Sequence, residues 1–213
     1  MSALRSSLAN DVGARLEAGD VMTRAEFHRR YAEHPEIRSA ELIEGVVYVA
    51  SPLRARDHGF PDSSVNVWLG AYWVPRPEIR CATNSTVILD ADNEVQPDIV
   101  LIREAGGSSR ITPDGYIQGP PELVVEIAAS STSQDLHQKK NAYRRNGVQE
   151  YIVWRVLDGA IDWFALQDGQ YIVLVPNASG VIESAVFPGL RLDVAAMLAG
   201  DISKVVAVQS AAD

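Results

Sequence analysis

The chain has one cysteine, Cys81, in 213 residues. A lone thiol excludes an internal disulfide framework and suits a reducing cytoplasm. Lysine is scarce too, with Lys139, Lys140 and Lys204 the only three. The formal charge of −9 argues against a protein that coats nucleic acid through its overall field, though not against an enzyme with a local basic groove. Arginines and lysines that could supply such a groove recur at Arg54, Arg56, Arg103, Arg110, Lys139, Lys140, Arg144 and Arg145. No segment approaches the roughly 18 uninterrupted apolar residues of a membrane span. The opening MSALRSSLANDVGARLEAGD lacks an apolar leader core, so the expectation is a cytoplasmic protein with no membrane partner.

What remains is an ordinary globular composition, 46% hydrophobic and 22% charged. Length and pattern predict a lead over residues 1–20, a single domain over 21–200 and a tail over 201–213. Thr23 and Glu26 have capping-box spacing for a short helix to about Glu33. AELIEGVVYVAS predicts a hairpin turning at Glu44-Gly45. PDSSVNVWLGAYWV places Val65, Leu69 and Tyr72 at helical spacing behind Pro61. Strands are predicted at about 79–89, 95–103 and 122–128, the first two antiparallel across DADN.

Residues 104–119 are expected to form the longest unstructured connection and a candidate for substrate contact. A helix is predicted from Ser131, capped with Gln134, to Asn146, with Gly147 as its stop. Three further strands follow, turning at Asp158-Gly159 and Asp168-Gly169, and a short helix starts after Asp193. Only one helix connects central strands, so the expected fold is one mixed α/β sheet rather than a doubly wound parallel one.

Two carboxylates interrupt apolar strands: Asp98 in VQPDIVLI and Glu126 in LVVEIAA. Burying an ionised carboxylate without a partner costs several kcal/mol or more. Each alone is as compatible with an exposed strand end or an arginine partner as with chemistry. If their strands are neighbours, the two groups converge, and either one takes up a proton or a cation joins them. Mg²⁺ suits such an oxygen pair, leaving positions for water or a substrate phosphate. Asp135, Lys139 and Tyr143 recur at four-residue intervals on the following helix, where Lys139 could face developing phosphate charge. An Asp135–Lys139 surface pair and a packing role for Tyr143 are the duller readings of the same residues. His28, His34 and His137 read as surface positions, and spacing alone assigns His58 no role.

The ordered set ELIEGVVYVASP, His58, QPDIVLI, PPELVVEIAASS, DLHQKKNAYRRNGVQEYIVW and FPGLRLDVAAML resembles the Uma-two family, over roughly residues 20–200. That family is placed among PD-(D/E)XK, or restriction-endonuclease-like, nucleases. The resemblance implies a central mixed β-sheet flanked by helices, with an added N-terminal hairpin and C-terminal strands. It makes Asp98 and Glu126 the metal-binding acids, with the main-chain carbonyl of Ile127 as a further ligand and Mg²⁺ or Mn²⁺ as the cofactor. The parent pattern has lysine two residues after the second acid; here that residue is Ala128, and the resemblance moves the lysine to Lys139. Glu44 and His58 match upstream positions near the metal, while Asp135 and Tyr143 would hold Lys139. The implied activity is metal-dependent endonuclease cleavage of nucleic acid, DNA rather than RNA. Cutting a duplex takes two sites, so a homodimer is a mechanistic expectation. The alternative is a catalytically silent module of this fold that binds nucleic acid or protein.

Overall fold

The computed structural model describes residues 15–210 except 51 and 130. Most of the expected lead, residues 1–14, lies outside the described residues. Helix α1 (Arg24–Glu33) starts where Thr23 accepts from the Glu26 amide. Strands β1 (Ala40–Ile43) and β2 (Val46–Val49) form the expected hairpin, turning through Glu44 (φ 52°) and Gly45 (φ 75°). A π-helical turn, Ala55–Gly59, leads into helix α2 (Phe60–Trp73).

The run 79–89 is not one strand. It divides into β3 (Ile79–Thr83) and β4 (Val87–Ile88), which lie in different sheets. Asn84, at φ 48°, makes the break, in a left-handed conformation that few non-glycine residues adopt. The next run divides likewise into β5 (Glu94–Val95) and β6 (Ile99–Arg103), on either side of Pro97. The strands therefore divide between two six-stranded mixed sheets, where the sequence led us to expect one.

Residues 104–119 are not unstructured either. They carry β7 (Arg110–Ile111) and β8 (Ile117–Gln118), and β8 pairs in parallel with β4. The base of this connection is pinned by buried Glu122, which accepts from the amides of Arg103 at 2.9 Å and Ser108 at 2.7 Å. Gly119 (φ 91°) passes so close that a Cβ would sit 2.7 Å from the Ser108 carbonyl oxygen.

Strand β9 (Leu123–Ala128) is buried along its whole length. A helix over 132–146, here α3, returns the chain to β10 (Glu150–Arg155), parallel to β9 in the same sheet. Gly147 (φ 85°) ends α3 as expected, but Ser131 does not cap it: its hydroxyl donates to Asp135 instead. Strands β11 (Ala160–Gln167) and β12 (Gln170–Val173) complete the order β12-β11-β10-β9-β6-β3, and β2-β1-β5-β4-β8-β7 forms the second sheet.

A small hairpin, β13 (Val181–Glu183) with β14 (Arg191–Asp193), precedes α4 (Val194–Ala199), whose first turn Asp193 caps through the Ala196 amide. Beyond residue 200, where a tail was expected, Ile202–Ser210 forms helix α5 and buries Val205.

The large sheet has two different faces. Ile99, Leu101, Leu123, Val125 and Ile127 pack on one face against Trp68, Leu69 and Tyr72 of α2 and against the C-terminal elements. Val100, Ile102, Val124 and Ala128 pack on the other against Ala142 and Tyr143 of α3 and against Ile43, Val87, Val95 and Ile117 of the second sheet. Strand alternation puts Glu126 on this second face.

Candidate active site

Antiparallel pairing of Ile99 with Val125 brings the start of β6 beside the end of β9. Continued by one residue, that register sets Asp98 opposite Glu126, and directly opposed residues share a sheet face. The Asp98 carboxylate bridges two elements. Its Oδ2 accepts from the Ile127 amide at 2.6 Å, and its Oδ1 lies 3.0 Å from Nε2 of His58 in the π turn before α2. That contact with Asp98, set against burial, raises the His58 pKa above its ordinary value.

Glu126 is almost wholly enclosed, and both of its hydrogen bonds fall on Oε1. Lys139 Nζ donates at 3.0 Å and the Tyr143 hydroxyl at 2.8 Å. Lys139 also lies 3.0 Å from Glu41 Oε2 and 3.8 Å from Asp135 Oδ1. Burial alone would lower the lysine pKa, but Glu126, Glu41 and Asp135 together hold it well above the usual value, so the ammonium stays charged. Burial raises the Glu126 pKa well above its ordinary value, and the charges of Asp135, Asp98 and Glu41 add to that rise while Lys139 opposes it. Burial likewise raises Asp135.

Local structure explains the convergence. Residues 135–139 form a second π-helical turn, and the Tyr151 hydroxyl donates to the Asp135 carbonyl at 3.0 Å within it. Single π turns often mark functional sites. Here both of them, Ala55–Gly59 and Asp135–Lys139, carry site residues.

Asp98, Glu126, Asp135, Lys139, Tyr143 and His58 thus come together. Glu44 does not: it sits in the hairpin turn, exposed, and pairs with Arg145 at 3.0 Å. The hairpin's contribution is Glu41, whose Oε1 accepts from the Gln96 amide at 2.8 Å while Oε2 meets Lys139. A signal for it was present, because Glu41 has the parity of Ile43, which belongs to the core on the site's face of the sheet. Asp62, one turn beyond His58, was also missed. Burial and the charge of Asp98 raise its pKa, and its Oδ1 is buried without a hydrogen-bond partner among the described residues.

The family model described as "Uma2: Putative restriction endonuclease" matches residues 24–195. The chain belongs to the Uma2 family. Its structure is similar to that of "a putative nuclease belonging to DUF820" from Anabaena variabilis, with a TM-score of 0.60 and 15% identity over 76% of this chain and 90% of that one. That likeness carries the fold: a restriction-endonuclease-like mixed α/β architecture, as the sequence led us to expect. The type IIG restriction endonuclease BpuSI aligns at a TM-score of 0.38 and 12% identity, over 76% of this chain and 18% of its own. No curated protein matches the chain. Among the described residues no helix is long and apolar enough to cross a membrane.

The donor set can be tested against a metal ion. Among the described residues no three His, Cys, Asp or Glu side chains are grouped as an all-protein cage. Two neighbouring carboxylates in a cluster of four, with one Glu126 oxygen outside its hydrogen bonds, suit a hard cation that keeps several waters, as Mg²⁺ does.

Proposed function

We propose that this chain is a metal-dependent endonuclease that hydrolyses phosphodiester bonds of nucleic acid, DNA rather than RNA, in the cytoplasm. The observation that carries the reading is the position of Lys139. Its ammonium rests 3.0 Å from Glu126, in the strand that pairs with β6 just after Asp98, so a lysine from α3 can do the work of the one missing at Ala128.

Asp98 and Glu126, with the Ile127 main-chain carbonyl, would hold Mg²⁺ or Mn²⁺. When bound, such an ion polarises the phosphate and supplies a water nucleophile near neutral pH. The chain's own residues do the rest. Tyr143 and Lys139 both hold Glu126 through Oε1, which fixes the carboxylate and leaves Oε2 outside these two hydrogen bonds. Glu41 and Asp135 keep Lys139 charged and in place, where it opposes negative charge building on the phosphate in the transition state. His58 fixes Asp98 through Oδ1, the oxygen that the Ile127 amide does not occupy.

The test is cleavage of labelled circular DNA, single-stranded and duplex, with Mn²⁺ or Mg²⁺. Wild type is expected to cut, and Asp98→Asn and Glu126→Gln to fold normally without cutting. Activity retained in both variants would overturn the assignment and leave the silent binding module in its place.

A further inference from the structure

The groups at the centre of the site are deep. Lys139 and Glu126 side chains are 6% and 5% exposed, and Asp98 is 13% exposed. A stiff, wide duplex brings its phosphates less readily to groups so enclosed than a slim, flexible single strand does.

The segment leading to His58 has the opposite character. Residues 52–56 are all exposed, and Leu53 and Phe60 are 66% and 67% exposed. Arg54 is 84% exposed, with only a 3.8 Å approach to Asp57, and Arg56 has no pairing partner among the described residues. Among the other exposed arginines, Arg29 pairs with Glu26 and Glu33, Arg80 with Glu104 and Arg145 with Glu44, while Arg15 and Arg38, like Arg56, have no ion-pair partner among the described residues. Arg56 and Phe60 are four residues apart across a helical turn and so share a face. His58, between them, turns inward to Asp98.

On a chain of net charge −9, the unpaired Arg56 and the loosely paired Arg54, close in sequence to an exposed aromatic ring, complement a polyanion with free base faces. A single strand offers both features: phosphates for the arginines and an unstacked base for Phe60. Paired, stacked bases in a duplex offer no such face.

We propose that Arg54, Arg56 and Phe60 form a strand-binding arm, and that the substrate is single-stranded or locally unpaired nucleic acid. This rests on the nuclease reading of the site. On such a substrate one active site suffices, and the pairing of two copies that duplex cleavage calls for is not required.

Binding and cleavage are measured separately. Fluorescence anisotropy of labelled dT30 and of a 30-base-pair duplex, with wild type in Ca²⁺, reads the arm. Wild type is expected to bind dT30 at least about tenfold more tightly than the duplex. Phe60→Leu should weaken dT30 binding by about 5- to 150-fold, the range for losing one stacked base, and Phe60→Tyr should retain it. Arg54→Ala/Arg56→Ala should reduce the slope of log K against log salt by about 1.4, at roughly 0.7 per phosphate contact on a single strand. These side chains are exposed, and an unchanged unfolding temperature confirms the fold of each variant. Preference for the duplex, no binding of dT30, or dT30 binding indifferent to Phe60→Leu would each overturn the proposal. Arm-dependent binding of dT30 without cleavage in Mn²⁺ would support the arm while defeating the nuclease reading.

Discussion

The two faces of strand β9 are one residue apart in sequence and opposite in chemistry. Leu123, Val125 and Ile127 share a mainly apolar layer with Trp68 and Trp163, whose rings meet edge to face at 5.7 Å. Glu126 looks the other way, onto Lys139, Tyr143 and three further carboxylates, Asp98, Asp135 and Glu41. The first face gains free energy from burial without direction. The second gives some up, because charges leave water, and gains a fixed arrangement in return. The comparison suggests that stability and chemistry are assigned to opposite sides of one strand, so substitutions on the two sides should separate them.

The largest effect is expected at the acids and their lysine. Lys139→Met should lower kcat by about 10²–10³-fold, as for removal of one stabiliser of transition-state charge. It should also destabilise the fold by about 3–5 kcal/mol at neutral pH by leaving buried carboxylates unpaired. Glu126→Gln keeps shape and removes one crowded charge, so metal-free protein should be at least as stable as wild type while cleavage is lost. Parallel denaturation and cleavage assays check both.

On the apolar side, Trp163→Ala should cost about 3–5 kcal/mol with activity per folded molecule kept. A loss of activity without a loss of stability there would break the division. Next in size is Glu41→Gln, expected to slow cleavage about tenfold or more by loosening Lys139, whereas Glu44→Ala should leave it unchanged.

Smallest is the cap at α4. Asp193 is held below its ordinary pKa by its hydrogen bond from Lys204 and by the Ala196 amide. A lowered carboxylate stabilises the fold fully above the unfolded value of about 3.9 and loses that contribution as pH falls through the folded value. Asp193→Ala should therefore cost about 1 kcal/mol at pH 7 and progressively less in acid, in urea titrations at several pH values.

Much of this was legible because it is written locally. The Thr23 cap, the Gly147 stop and the turns at Glu44-Gly45 and Asp168-Gly169 each follow from one or two residues whose backbone needs are narrow. As candidates, Asp98 and Glu126 were legible because charge inside an apolar pattern demands a reason, and Lys139 because it recurs at helical spacing with Asp135 and Tyr143. The division of 79–89 and 95–103 between two sheets was not, since β propensity carries no mark of where a strand changes partners. Ser131 misled for a related reason: a hydroxyl with capping spacing found the side chain of Asp135 a better acceptor partner. Glu44 was taken for Glu41 because the resemblance located an acid in the hairpin, and only strand parity decides which one faces inward.

The most direct test of the central claim is thermal unfolding of wild type, Asp98→Asn and Glu126→Gln with and without Mn²⁺. Metal at about 100 times its dissociation constant should stabilise wild type by about 2.7 kcal/mol and leave both variants unmoved. Equal stabilisation of all three, or of none, would contradict a metal centre built on Asp98 and Glu126.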